Sequence, residues 1–547
     1  MSPCWRLGAS TCTSALAQRC RWLSASSDSQ PPLSSGTPTA TPLPSASSSA
    51  LPHVQPAGGA SKPTVVIIGT GWAGACLVRT LDAAHCNIVV LSQRNHMLFT
   101  PLLPQTCTGT LEFRSICEPV TRIQPALASL PNAFYRTMVF DVDFDLRSIG
   151  CISVGVLGAG KNVPVKSFDY RYDYLVLAHG ARPNTFNIPG VEEHAFFLRE
   201  ISEARGIRRR LVQNIMQARL PTTESEEQLR LLHIVVVGGG PTGVEFAADL
   251  ADFLTQDIPK IAPALQAKFH VTLVEANEVL GTFDVTLRNY CAKRLNKIGI
   301  EVKKAVVAEV LEDSVVLTSG EVLRCGLVVW STGVGASPLN RSLKCDKNPQ
   351  GRLCIDDHLH VLRDSKPLDR VWAIGDCAAD VKQPLPTLAA VASRQGKYMA
   401  STLNGLLASP PSPSAPFKYV HLGSMASLGG TVALAEFKAP ATFDIKGFRA
   451  FLIWRSAYFT MLGSIRSRLY VAVNWIGSWL FGRDVTYIAE ISEAKLWARL
   501  ASDGATKETA RRRLVAQAQK NRVVMPPPEA SVTAVPPSFS NDASLQK

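Results

Sequence analysis

The sequence predicts an α/β fold, two doubly wound parallel-sheet units with an amphipathic helical region after them, and three observations predict it. Gly69-x-Gly71-x-x-Gly74 follows the β-branched run Thr64–Ile68 and opens a helical pattern over Cys76–Ala84. Gly238-x-Gly240-x-x-Gly243 repeats that order after the apolar run Ile234–Val237. Between Phe448 and Phe481 apolar residues recur every three to four positions, which is helical and not strand periodicity.

Composition sets the outer limits. With 547 residues, 46% hydrophobic and 18% charged, the chain can bury large cores and is neither globally disordered, collagen-like nor a minimal disulfide scaffold. That length corresponds to about three domains. The 57 Lys and Arg exceed the 44 Asp and Glu by 13, but they are spread along the chain and gather only toward its ends. A leader and a membrane-facing segment account for that better than nucleic-acid binding, and none is expected. No window offers about 18 uninterrupted apolar residues, so a spanning helix is not expected. The 13 Cys include no C-x-x-C and no Cys/His cluster, which argues against a metal site or a thioredoxin-like dithiol. Most are expected to be small buried hydrophobes.

The ends follow their composition. Residues 1–27 hold Arg6, Arg19 and Arg21 with many Ser, Ala and Thr and no acid, as a mitochondrial presequence does. Residues 28–62 are a Ser/Pro/Thr/Ala-rich linker, too poor in large side chains to repay ordering entropy. At the other end, 491–520 is a basic, Ala-rich helical pattern and 521–547 a Pro-rich tail.

Each glycine turn has a physical task. Gly69 makes the tight turn, Gly71 lets backbone N–H groups approach a pyrophosphate, and Gly74 packs helix on strand, with Thr70, Trp72 and Ala73 between them. The next strand, Asn87–Leu91, runs into Ser92-Gln93-Arg94 and lacks the acid that usually accepts from a ribose, so the Ser92 hydroxyl is one substitute. Gly238, Gly240 and Gly243, with Pro241, Thr242 and Val244, form the second cradle. There the strand Val271–Glu275 ends on a carboxylate placed to accept from ribose hydroxyls and to repel a 2′-phosphate, so this site prefers NADH to NADPH. These are two Rossmann-like dinucleotide-binding domains.

At these residues the chain resembles the flavoproteins with two dinucleotide-binding domains, in which an NAD(P)H domain is inserted in an FAD domain. Tyr172–Gly180, Leu327–Gly333 and Val371–Asp376 match that superfamily's supporting motifs. Within it, Phe99–Pro104 after Arg94-Asn95, Pro183–Phe186 with Ile188–Gly190, Gly238–Glu245, Trp454–Tyr458 and Arg466–Leu469 resemble the type II NADH:quinone oxidoreductases, or alternative NADH dehydrogenases, of mitochondria. The resemblance implies non-covalent FAD on Gly69–Gly74, Ser92, Arg94, Thr100, Pro101, Leu102, Gly180, Gly375 and Asp376, the last on the ribityl chain. It implies NADH on Gly238, Gly240, Pro241, Thr242, Gly243, Val244, Glu275, Thr332 and Gly333, with hydride passing from the nicotinamide to the flavin. Glu245, expected in the first helical turn, is implied to reach the nicotinamide and flavin edge, although an acid there would also suit the helix dipole alone.

The implied partners are ubiquinone, the mitochondrial inner membrane as a peripheral surface, and a second copy of the chain in a homodimer, with no proton pumping. The implied organisation is an FAD domain over 64–195 and 346–425, an NADH domain over 228–345, and a membrane-anchoring region over 426–490. Residues 196–227, with Arg208-Arg-Arg210 and the Glu224–Glu227 cluster, read as a solvated charged connector. Residues 386–400 are expected to form a helix whose N-terminus points at the flavin. In that helix the family generally has two glutamines at i and i+4 facing quinone, where this chain has Ala390 and Arg394, with Gln395 turned away. Either the quinone is held differently, with Arg394 supplying charge, or the acceptor is not the usual ubiquinone. In the C-terminal region, Arg455, Arg466, Arg468 and Arg483 are expected opposite the apolar stripe, facing lipid headgroups.

Two alternatives stay open at this point: sulfide:quinone oxidoreductases share the scaffold and use dispersed cysteines, and apoptosis-inducing factor resembles it while serving signalling. Disulfide reductase activity is disfavoured because Cys107 and Cys117 lie ten residues apart.

Overall fold

The computed structural model describes residues 53–54, 62–153, 167–408, 410–412, 414–438 and 443–487. The presequence, nearly all of the 28–62 linker and everything after 487 lie outside the described residues.

Among them, the largest sheet is built round five parallel strands in the order Ala133–Asp143, Asn87–Ser92, Thr64–Ile68, Tyr174–Leu177 and Lys366–Ala373. Val65, Val66, Ile67, Val89 and Val90 are wholly buried, as a run with no polar alternation requires in a sheet covered on both faces. The chain leaves this sheet after Leu177 and re-enters it at Leu353. Between those points lies a second sheet, fully parallel, in the order Phe196–Phe197, Leu327–Trp330, His233–Val237, His270–Glu275 and Ile300–Lys304. Both glycine turns therefore sit at the carboxyl end of a strand with parallel neighbours on both sides, where ligands bind in open α/β sheets.

The first helix begins at Trp72, four residues before its sequence pattern, because the turn's third glycine already has helical backbone. The helix expected over 386–400 runs Ala389–Leu407, since Leu388 is extended and ends the Pro-containing segment before it. The two helices meet at Gly396, where an added Cβ would stand 2.3 Å from the Ala73 carbonyl oxygen.

After Leu407 the chain forms a three-stranded antiparallel sheet, Gly423–Ser427, Ala433–Phe437 and Phe443–Gly447, and then helices Phe448–Met461 and Ile465–Phe481. The sheet was not foreseen, because its small residues and short length give no clear period. No helix among the described residues is long and apolar enough to cross a membrane.

Two charge readings are corrected. Arg208 is buried and not solvated: it donates to the Asp484 carboxylate and backbone oxygen, and its guanidinium lies 5.6 Å from the Phe113 ring. Arg455, Arg468 and Arg483 are turned inward. Arg455 lies 4.0 Å over the Trp475 ring, Arg468 closes the helix junction on the Leu462 and Thr460 carbonyls, and Arg483 pairs with Asp257 at 2.7 Å. Outward instead stand Leu452, Ile465, Leu469, Val473, Ile476, Trp479 and Phe481, the last two 82% and 87% exposed.

At the helix crossing, Gly396→Ala is expected to destabilise the fold by about 2 kcal/mol, because backbone blocks the new methyl. A lower urea midpoint at unchanged slope checks this.

Candidate active site

At the first turn Gly69 has φ +111°, and a Cβ there would meet the Ala178 carbonyl oxygen at 2.4 Å. A Cβ on Gly74 would stand 2.1 Å from the Gly69 oxygen, so the helix approaches the strand as closely as backbone allows. The side of Gly71 is open apart from an Arg94 guanidinium nitrogen 3.5 Å away. Thr70 and Ser92 share a buried hydroxyl contact of 3.0 Å, which commits the Ser92 side chain to holding the turn. Trp72 donates its indole N–H to Thr100 Oγ1 at 3.0 Å and lies against Phe99, so the segment Thr100–Leu102 with Pro101 is pinned beside the turn.

Across the sheet, Gly180 has φ +72° with no atom within 4 Å of its Cβ position. Gly375, with φ +77°, donates its N–H to Gln395 Oε1 at 2.7 Å. Gln395 is therefore buried and structural, the brace of this turn. The Asp376 carboxylate has a protein partner: Arg199 Nη2 donates to Oδ2 at 3.1 Å. Beside Gly180, burial pushes the His179 imidazole down to about 4, so it is neutral, with Nε2 paired to Asn340 at 2.6 Å and Nδ1 unpartnered.

The second turn repeats the first. Gly238 has φ +109° with the Ser331 oxygen 2.7 Å from its Cβ position, and a Cβ on Gly243 would stand 2.0 Å from the Gly238 oxygen. The Gly240 Cβ position has nothing within 4 Å. Pro241 and Thr242 start the helix Pro241–Gln256, and Val244 is buried under it. Glu275 accepts from the Gly239 N–H at 2.5 Å and the Asn277 N–H at 2.8 Å, which holds its carboxylate against the turn. Thr332 donates to the Asn184 carbonyl, and the Gly333 Cβ position is open. Both cradles thus leave the second glycine free on one side while backbone closes on the first and third, the shape that admits a dinucleotide's pyrophosphate.

Glu245 lies in the second turn of its helix, not the first, since Pro241 is the first helical residue and no acid occupies the first turn. The helix dipole therefore does not account for it. Its Oε1 accepts from the Ser427 N–H at 3.0 Å and the Trp454 indole N–H at 3.2 Å, both from the C-terminal region. Burial pushes its carboxyl up to about 8, against which those two donors pull, while Asp249 adds to the rise. One turn along, Asp249 accepts from Thr108 and Thr110 and faces Arg483; Asp252, pushed up to about 6 by burial, accepts from the Gly430 N–H. Rings run from the first cradle to this carboxyl: Trp72 to Phe99 at 5.2 Å, Phe99 to Tyr458 at 6.0 Å, Tyr458 to Trp454 at 4.9 Å.

Ala390 is exposed, and Arg394 lies 5.2 Å over the Tyr419 ring and donates to the Val420 carbonyl. Sequence reading missed Arg199, Glu200 and Ser427. The motif Trp454–Tyr458 carries in its sequence no sign that the Trp454 indole holds Glu245. The described cysteines are all free, and burial pushes the thiols of Cys107 and Cys117 upward, the latter to about 11, away from dithiol chemistry.

Two such cradles on two parallel sheets define a nucleotide-dependent flavoprotein oxidoreductase of the two-domain class. Residues 63–396 match the pyridine nucleotide-disulphide oxidoreductase family, and residues 421–484 match the NDH2 C-terminal domain. An internal alternative NAD(P)H-ubiquinone oxidoreductase A1 of Solanum tuberosum mitochondria is 44% identical over 446 residues, 78% of this chain and 88% of that one. The external NADH-ubiquinone oxidoreductase 2 of Saccharomyces cerevisiae mitochondria is 35% identical over 463 residues, 78% and 83% of the two chains. The solved structure of NDH2 from Plasmodium falciparum with NADH shares the fold, with TM-score 0.71, 23% identity and coverage of 78% and 100%. The chain belongs to the alternative NAD(P)H-ubiquinone oxidoreductases, the type II NADH dehydrogenases.

The Glu245 carboxyl generates a stability prediction. Its folded value of about 8 lies above the ordinary 4.5, so between those two pH values the unfolded chain releases a proton that the folded chain keeps. This group's contribution to stability therefore falls as pH rises through that window and levels above it. Glu245→Gln lacks the effect, so the melting temperature of the variant minus that of the native protein is expected to grow from pH 5 to pH 8 in thermal scans.

Proposed function

We infer that the protein is a mitochondrial enzyme that oxidises NADH and passes two electrons to ubiquinone. The observation that carries this is the Glu245 carboxyl, set where the helix of the second cradle meets the C-terminal region. The first cradle, with Arg94, Thr100, Pro101, Leu102, Gly180, Gly375 and Asp376 around it, is the seat of FAD, within a domain formed by 64–195 and 346–425. The second cradle, with Glu275, Thr332 and Gly333, is the seat of NADH, within 228–345. Bound FAD supplies the two-electron chemistry, and the chain supplies position, exclusion of water and proton control. The Glu245 carboxyl, neutral below about pH 8, can give up a proton at the join between domains, the carboxylate left behind being held by the Ser427 N–H and the Trp454 indole N–H until it is protonated again.

Ubiquinone is reached from the C-terminal side, at the peripheral surface of the inner membrane, by a chain that forms homodimers. The exposed ridge Ile465, Leu469, Val473, Ile476 and Leu480 on helix Ile465–Phe481, with Trp479 and Phe481 beside it, supports this. Each such side chain contributes about 1.5–3 kcal/mol on burial, against about 1 kcal/mol for a surface cation near anionic lipid. With Arg455, Arg468 and Arg483 turned inward, apolar insertion outweighs headgroup attraction. Arg394, held on Tyr419 and Val420 where a glutamine would stand in the family, supports a quinone held otherwise than by paired glutamines.

Two measurements test the reading. Glu245→Gln is expected to keep its FAD and to slow flavin reduction by NADH roughly a hundredfold or more in stopped-flow traces; unchanged traces remove the role. Leu469→Ser with Ile476→Ser is expected to lower liposome binding about tenfold or more in flotation, with soluble NADH oxidation retained; undiminished flotation overturns the insertion face.

A further inference from the structure

The strand Asn87–Ser92 ends without the carboxylate that an adenosine ribose needs, and Ser92 is turned to Thr70. A carboxylate stands there nonetheless, delivered from 106 residues away. Glu200, just before helix Ile201–Ala218, accepts from Arg94 Nη1 with both oxygens, at 2.7 and 2.6 Å. Another nitrogen of the same guanidinium lies 3.5 Å from the Gly71 Cβ position, on the open side of the first cradle. A carboxylate has about four acceptor positions, and Arg94 takes two of them.

The preceding residue points to the same ligand from the other end. Arg199 donates Nη2 to Asp376, while its Nη1 is buried without any partner. A buried guanidinium N–H left unpaired is costly, so its presence marks a place where an acceptor belongs. The dipeptide is held to this task by its own helix: the Glu203 carboxylate accepts from the backbone N–H of Arg199 at 2.7 Å and of Glu200 at 2.8 Å. Its backbone is thereby fixed before any ligand arrives.

We propose that Arg199-Glu200 is a clamp on FAD, in which Glu200 receives the adenosine ribose hydroxyls in place of the absent strand-end acid and Arg199 Nη1 donates to the pyrophosphate. The clamp rests on the reading that the first cradle seats FAD. Phe196–Phe197, which ends two residues before Arg199, is a strand of the second sheet, so one short segment joins cofactor retention to the nicotinamide-side sheet.

The test uses the purified full chain carrying its flavin. Glu200→Gln keeps a side-chain acceptor at the helix start but loses the charge, and Arg199→Gln removes the unpaired donor. Both variants are expected to release FAD at least tenfold faster than the native protein, followed by the rise in flavin fluorescence on dilution, with the melting temperature in saturating FAD little changed. On reconstitution, the native protein is expected to bind FAD more tightly than its 2′-deoxyadenosine analogue, and Glu200→Gln to bind the two alike. Release at the native rate, or a variant that discriminates as the native protein does, overturns the clamp. A native protein that takes up no FAD overturns the reading of the first cradle and the clamp with it.

Discussion

The fold turns on one buried carboxyl. Glu245 points from the helix that opens the second cradle into an apolar interior, where a carboxylate is too costly to keep charged. Its needs are met by the Ser427 N–H and the Trp454 indole N–H, both contributed by the C-terminal region. Asp249 and Asp252 extend the same demand along the helix, answered by Arg483 and the Gly430 N–H. The C-terminal sheet and helices are thus fixed to the helix of the second cradle by buried polar contacts. Around them, Phe246, Leu250, Ala433, Leu434 and Trp454 form one continuous core. The aromatic run from Trp72 through Phe99 and Tyr458 to Trp454 closes the remaining gap to the first cradle.

This arrangement explains the division of labour among the C-terminal arginines. A cation beside buried acids lowers the cost of burying them, so Arg483 is drawn to Asp257 and Asp249, and Arg208 reaches Asp484 from the facing helix. The polar face expected toward headgroups is therefore spent inside, which leaves an apolar ridge outward. An apolar ridge of this size on a water-facing helix marks an interaction surface.

What was legible in the sequence follows physical range. The two cradles could be read because Gly74 and Gly243 are required by the oxygens of Gly69 and Gly238 five residues earlier, and Gly69 and Gly238 by their own positive φ, while Glu275 was legible as the end of an apolar strand although the Gly239 N–H it holds lies 36 residues away. Contacts between distant segments left no local period. Arg199 with Asp376, Glu200 with Arg94, Ser427 with Glu245 and Gln395 with Gly375 each join segments that only the fold brings together. The placement of Glu245 in the first helical turn failed by one turn, because Pro241 fixes the helix start. The short C-terminal sheet escaped notice because Gly423–Ser427 and Ala433–Phe437 carry small residues whose pairing is set by their partners, not by their own propensity.

The joining of the domains through Glu245 requires its carboxyl to be protonated at neutral pH. Infrared spectra of the protein with ¹³C-labelled glutamate, compared between the native chain and Glu245→Gln, read that state from the protonated carboxyl band. The native chain is expected to show a band at pH 7 that titrates away near pH 8 and is absent from the variant. An identical spectrum in the two proteins at pH 7 would contradict it, because the carboxyl that joins the domains would then already be charged.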